Sequence, residues 1–125
     1  MTPYQQLWLI AFTKTQIVEI SAGLVFLYFS LRDEKDQSTK LTSDAFVLFM
    51  ATAMTHPLLW FIFPRIKRSL GLSYQEFVIY GELAVFLIEG MWYSIKLSKF
   101  KGQIVKAMLL SLFLNILSYF SSMLI

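Results

Sequence analysis

The sequence predicts an all-α integral membrane protein: a bundle of four transmembrane helices with short loops and a kinked second helix. Three observations predict it. Hydrophobic residues make up 57% of the 125-residue chain and charged residues only 15%, against roughly 45–50% and about 25% in a soluble domain. The apolar residues gather in four long blocks, each able to cross a hydrocarbon core of about 30 Å. The segments between them carry most of the lysines and arginines. The chain reads as a single domain, residues 1–125.

The first helix is expected over about residues 7–31, "LWLIAFTKTQIVEISAGLVFLYFSL". "TKTQ" interrupts its start, so either the helix tilts or "LWLIAF" lies at the interface and Lys14 snorkels to water. No basic region precedes this block and no small-residue cleavage site follows it, so it is expected to stay in place as a membrane helix. "RDEKDQSTKLTSD" then reads as a water-exposed loop, with Thr42, Ser43 and Asp44 as N-cap types. The second helix is expected over 44–63, stopping at Pro64. Pro57 inside it removes one helix hydrogen bond and clashes with the carbonyl of Ala53, which predicts a kink.

Ser73 and Glu76 form an S-x-x-E capping box, which starts the third helix near 73 and carries it to 96. The fourth is expected over 103–125. Arg32, Lys35, Lys40, Lys96, Lys99 and Lys101 share one side of the bundle, with Lys106 close by. Arg65, Lys67 and Arg68 lie on the other, with Lys14 nearby. That excess places loops 32–43 and 96–102 in the cytoplasm and both termini outside. The net charge of +3 is a topology signal of this kind, and no nucleic-acid partner is expected.

Composition also excludes chemistry. There is no cysteine, which removes disulfides, thiolate catalysis and thiolate metal sites. One histidine cannot ligate a haem from both sides. A nucleotide-binding glycine loop, G-x-S-x-G and H-E-x-x-H are all missing from the sequence. Ser21, Ser111 and Ser118 lie in the apolar blocks, but no spacing joins them to His56 as a hydrolase.

The remaining signal is polar residues at membrane depth. "YGELAVFLIEGMWY" holds Glu82 and Glu89 seven residues apart, on one helical face that Tyr93 extends. At about 1.5 Å per residue, measured from the side of the second loop, Glu82 lies about 8 Å deep, His56 about 10, Glu19 about 12, Asn115 about 15 and Glu89 about 18. Even low estimates cost a charge at mid-membrane roughly 2.5–3.5 kcal/mol, so the acids are expected to converge inside the bundle. Ala107, Ser111, Asn115, Ser118 and Ser122 form one small, polar face of helix four. Ala51, Thr52, Thr55 and His56 form another on helix two. Each feature also has a plainer reading. His56 can brace the proline kink, Glu82 can meet the helix start or "RIKR", and the serine stripe can serve packing. Trp8, Trp60 and Trp92 read as interface anchors.

The size, the four helices and the glutamate of helix one resemble small multidrug transporters. Glu82, Glu89 and "THP" depart from that pattern, and no residue role is carried over. The expected function is binding and moving protons or small cations. His56, Glu82 and Glu19 form the site, Asn115 is a neutral ligand, and Glu89 relays to the other half of the membrane. Ser111, Ser118, Thr52, Thr55 and Tyr93 support it, and a homo-oligomer is expected. Two alternatives stand beside it. One is a metal-dependent intramembrane enzyme using Zn²⁺, Mn²⁺ or Fe²⁺ on a lipid or lipid-linked substrate. The other is a structural or assembly subunit.

Overall fold

The computed structural model of the chain describes residues 1–124, with side chains described through residue 121. The helices are α1 (Pro3–Leu31), α2 (Gln37–Pro57), α3 (Phe63–Leu70), α4 (Tyr74–Lys96) and α5 (Ile104–Leu124), and a π-helical turn (Leu58–Ile62) joins α2 to α3. α2, the π turn and α3 form one rod. The described chain is thus four rods, each long and apolar enough to cross a membrane, which fits a multi-pass membrane protein. Ile125, the expected end of helix four, and the side chain of Ser122 lie outside the described residues.

Helix α1 begins at Pro3 rather than near residue 7. Thr2 accepts from the Gln5 amide (3.1 Å) and Gln5 Oε1 accepts from the Thr2 amide (3.0 Å), a capping box that the sequence reading missed. "TKTQ" does not interrupt the helix. Thr13 returns its hydroxyl to the Leu9 carbonyl (2.8 Å), and Gln16 donates across to the Phe49 carbonyl (3.1 Å). From mid-helix onward the buried face is Glu19, Gly23, Leu27 and Leu31, each four residues from the last.

Helix α2 begins at Gln37, so the expected loop 32–43 shrinks to 32–36 and Asp44 is no cap. Polar side chains in the first turns stay helical because their hydroxyls have helical partners, as in Thr42 to the Ser38 carbonyl (2.9 Å). Asp44 is fully buried, and its Oδ1 accepts from both the backbone N–H (3.1 Å) and the hydroxyl (2.9 Å) of Ser98. Glu34 ties the loop 32–36 to α2 and to the loop 97–103, accepting from Lys40 (3.2 Å) and Lys99 (3.4 Å). Hydrogen bonds from these two lysines hold the Glu34 carboxyl below its ordinary range.

Neither proline ends the second rod. Pro57 has no N–H for the Ala53 carbonyl, and the helix answers by widening. The Leu58 N–H turns to the Thr55 carbonyl, and the Phe63 N–H reaches back to the Leu58 carbonyl, an i to i+5 bond. Pro64, expected as the stop, falls in the first turn of α3. Its missing donor leaves the carbonyl of Trp60, four residues back, and the Tyr4 hydroxyl donates to that carbonyl instead. α3 therefore extends the rod through the basic "RIKR" until Gly71, whose φ of 67° closes it. The expected Ser73–Glu76 capping box is present at the start of α4, with bonds of 3.2 and 3.3 Å.

The rods pack in a ring: α1 and α4 each touch α2 and α5. At the end bearing loops 32–36 and 97–103, the interior is a core of Leu27, Leu48, Leu97, Leu110 and Leu114 around Tyr93. Trp92 Nε1 donates to the Val47 carbonyl (2.9 Å) and joins α4 to α2. At Gly90 α4 lies tightly against α5. A Cβ there would lie 2.3 Å from Met108 Sδ and 3.3 Å from Met108 Cα. The thioether can swing away, but the backbone cannot. Gly90→Leu is therefore expected to destabilise the bundle by about 1–3 kcal/mol, and Gly90→Ala by clearly less. Thermal unfolding in detergent measures this. Equal midpoints for Gly90→Leu and wild type would mean that α4 and α5 are not held in this contact.

Candidate functional site

In the other half of the bundle the interior is a partly open cavity of about 400 Å³. All four rods line it. α1 contributes Lys14, Thr15 and Glu19. The second rod contributes Thr52, Thr55, His56 and Trp60, α4 contributes Glu82 and Glu89, and α5 contributes Asn115 and Ser118. Its shallow end lies at the level of Leu7, Trp60 and Ser121. Its floor lies at mid-bundle, above the leucine core.

The floor is a hydrogen-bonded ring. Glu19 is 2% exposed, and its Oε2 accepts from the Thr52 hydroxyl. Glu89 is 1% exposed, and its Oε1 accepts from Asn115 Nδ2 (2.9 Å) while its Oε2 accepts from the Thr55 hydroxyl (3.2 Å). Asn115 also donates to the Ser111 carbonyl (2.8 Å), and Ser111 in turn donates to the Phe86 carbonyl (2.9 Å). These bonds satisfy polar groups that would otherwise be left without water. Glu19, Glu82 and Glu89 lie within electrostatic reach of one another.

The expected site residues fall into three groups. Glu19, Glu89, Thr52, Thr55 and Asn115 form the floor. Glu89, expected as a relay beyond the site, is its most fully bonded acid. Glu82 and Ser118 line the cavity nearer its shallow end. Glu82 is half-buried and makes no hydrogen bond among the described residues, and Ser118 reaches Thr15 at 3.4 Å. Ser111 and Tyr93 do not line the cavity. Ser111 is buried between α4 and α5, and Tyr93 lies beneath the floor.

His56 lines the cavity, yet among the described residues no hydrogen bond joins it to an acid. Its ring sits among aromatics, 6.1 Å from Trp60 and nearly parallel to it, 5.6 Å from Phe12 and 6.5 Å from Trp8. Its Nδ1 is buried without a partner, and so is Trp8 Nε1. Trp8 and Trp60 thus pack around the histidine, Trp60 from one turn further along the same rod. Among the described residues no three His, Asp or Glu side chains come together as a metal-binding group.

Lys14 and Thr15 were missed as cavity-lining residues. The signal was the stripe Ala11, Thr15, Glu19, Gly23 at spacings of four, hidden by the reading of "TKTQ" as an interruption.

The floor depends on neutral donors to Glu89. Asn115→Leu keeps similar bulk and removes the donor to Glu89 Oε1, so it is expected to cost about 1–3 kcal/mol. Ser118→Ala, which loses only a 3.4 Å contact, is expected to leave the unfolding midpoint in detergent unchanged. If Asn115→Leu unfolds at the wild-type midpoint, the amide does not hold Glu89.

The chain matches no protein-family model, no curated protein and no solved structure.

Proposed function

We propose that the chain is a multi-pass membrane protein that binds and moves protons or small cations at the floor of its cavity. One observation carries this reading. Two buried carboxylates from different helices, Glu19 and Glu89, line one cavity and are bonded only to hydroxyl and amide groups. A purely structural acid needs no cavity. Here the acids end a cavity of about 400 Å³ that reaches the shallow end of the bundle. Neutral partners allow a carboxyl group to take up and release a proton or a cation. Glu82, nearer the shallow end and without a hydrogen bond among the described residues, receives the ion first. His56 walls the path with Trp60. All four rods of a single chain line this partly open cavity, so the reading does not require the expected homo-oligomer. The metal-dependent enzyme is not carried further, because no metal-binding group forms among the described residues.

Reconstitution into liposomes tests the reading. Under an imposed gradient, wild-type protein is expected to pass protons or a small cation well above empty vesicles. Glu89→Gln and Glu19→Gln keep the shape and remove the charge, and each is expected to cut the flux about tenfold or more. Wild-type vesicles no leakier than empty ones would end the transport reading.

The proposed orientation follows the lysine and arginine excess, with loops 32–36 and 97–103 cytoplasmic and both termini outside. The cavity then faces away from the cytoplasm. Cysteines introduced as Asp33→Cys, Ser69→Cys and Lys101→Cys report on it in intact cells. An impermeant maleimide is expected to label only Ser69→Cys, and labelling of the other two instead would invert the orientation.

A further inference from the structure

The cavity is larger than a proton or a bare ion needs. At about 400 Å³ it falls in the range of small-molecule sites, about 300–1,000 Å³. Its acids stand at two levels. Glu19 and Glu89 end it, while Glu82 lines it seven residues back from Glu89, about 10 Å along α4. Between these levels the wall is apolar. Val85 of α4 is 6% exposed, and Val18 and Leu59 add surface from α1 and the second rod.

The charges on the lining do not balance. Three acids, Glu19, Glu82 and Glu89, face one lysine, Lys14, which leaves an excess of two negative charges when all are ionised. Among the described residues Lys14 forms no ion pair, and Glu82 has neither an ion pair nor a hydrogen bond. His56, 8% exposed, belongs to the same lining, and its Nδ1 is buried without a partner. It adds an unused polar group to a lining already short of donors.

Resting on the transport reading above, and naming its small cation, we propose that the cavity takes an elongated organic diamine with an ammonium group at each end. One ammonium meets Glu89 and Glu19 at the floor. The other meets Glu82, and the methylene spacer lies along Val85. Each ammonium brings three donors to carboxylates whose present partners are neutral, so the new bonds are charge-assisted. A metal ion does not fit this layout. Hard cations gather about six to eight oxygens around one point, and among the described residues no three His, Asp or Glu side chains come together. Acids spread along two helical turns are met by two charges on one chain.

Calorimetry on the full chain in dodecyl maltoside tests this with hexamethylenediamine and with aminohexanol, which keeps the spacer but has one ammonium. The diamine is expected to bind wild type about tenfold or more tightly than aminohexanol. Glu82→Gln is expected to remove that gap at an unchanged unfolding midpoint, and Glu89→Gln to weaken both ligands. Equal binding of the two ligands by wild type, or a gap that survives Glu82→Gln, overturns the proposal. Liposomes then separate this proposal from the transport reading. Proton or sodium flux through a protein that does not bind the diamine overturns the proposal and leaves transport intact. Diamine binding with no flux of diamine, proton or sodium upholds the binding site and ends the transport reading. Neither binding nor flux removes both. Should Glu89→Gln fail to fold, Glu82→Gln alone decides.

Discussion

The structure turns on how Glu89 is buried. A carboxylate taken out of water without partners is among the most expensive groups a helix can carry. Glu89 meets that cost through α2 and α5 together, with Thr55 on one oxygen and Asn115 on the other. Neither partner lies on its own helix, so α4 cannot rotate or slide by one residue without breaking both bonds. The same bonds pin Asn115 against Ser111 and bring Ser111 to the Phe86 carbonyl. Glu19 repeats the device between α1 and α2 through Thr52. In a surrounding where apolar contact gives little preference between helix partners, such bonds set which faces meet.

From that ring the bundle divides in two. Toward the paired loops, small and branched side chains close the interior, and Gly90 lets α4 lie against α5. The Asp44–Ser98 bonds tie α2 to the loop 97–103, and the Glu34–Lys99 ion pair ties the two loops to each other. Toward the turn 71–73, the second rod departs from α-helical geometry. A π turn follows Pro57, Trp60 within it lies over His56, and Tyr4 donates to the carbonyl that Pro64 leaves open. The interior there is lined by larger and more polar groups and stays open. The asymmetry is therefore written in backbone chemistry as much as in side-chain size.

Much of this was legible in the sequence because helical rise and periodicity are constant. Four apolar blocks, the Ser73–Glu76 cap and the shared face of Glu82 and Glu89 need only counting. What counting misses is competition between local rules. Pro64 reads as a stop because a proline usually removes a bond that nothing replaces, and Tyr4, distant in sequence, replaces it here. "TKTQ" reads as an interruption because it is polar, yet Gln16 finds the Phe49 carbonyl and Thr13 its own helix. Asp44 reads as a cap by its type and neighbours, and only the fold brings Ser98 to it. His56 reads as a partner for an acid, and only the fold brings Trp8 and Phe12 of α1 against its ring. Each miss is a long-range partner satisfying a group that the local pattern leaves unsatisfied.

The chemistry of the partners also bears on what the floor can do. An acid clamped by lysine or arginine is held ionised, because the cation stabilises the charge far more than a dipole does. Lys14 lines the same cavity, yet forms no ion pair with Glu19, Glu82 or Glu89 among the described residues. The groups that touch the floor acids are hydroxyls and an amide. A threonine hydroxyl donates to a carboxylate and, after rotation, accepts from a carboxylic acid, so the same contact serves both protonation states. Glu19 keeps its second oxygen outside the Thr52 bond and faces the cavity with it. The site is thus firm in geometry and permissive in charge, which an ion-handling floor requires and a structural clamp does not.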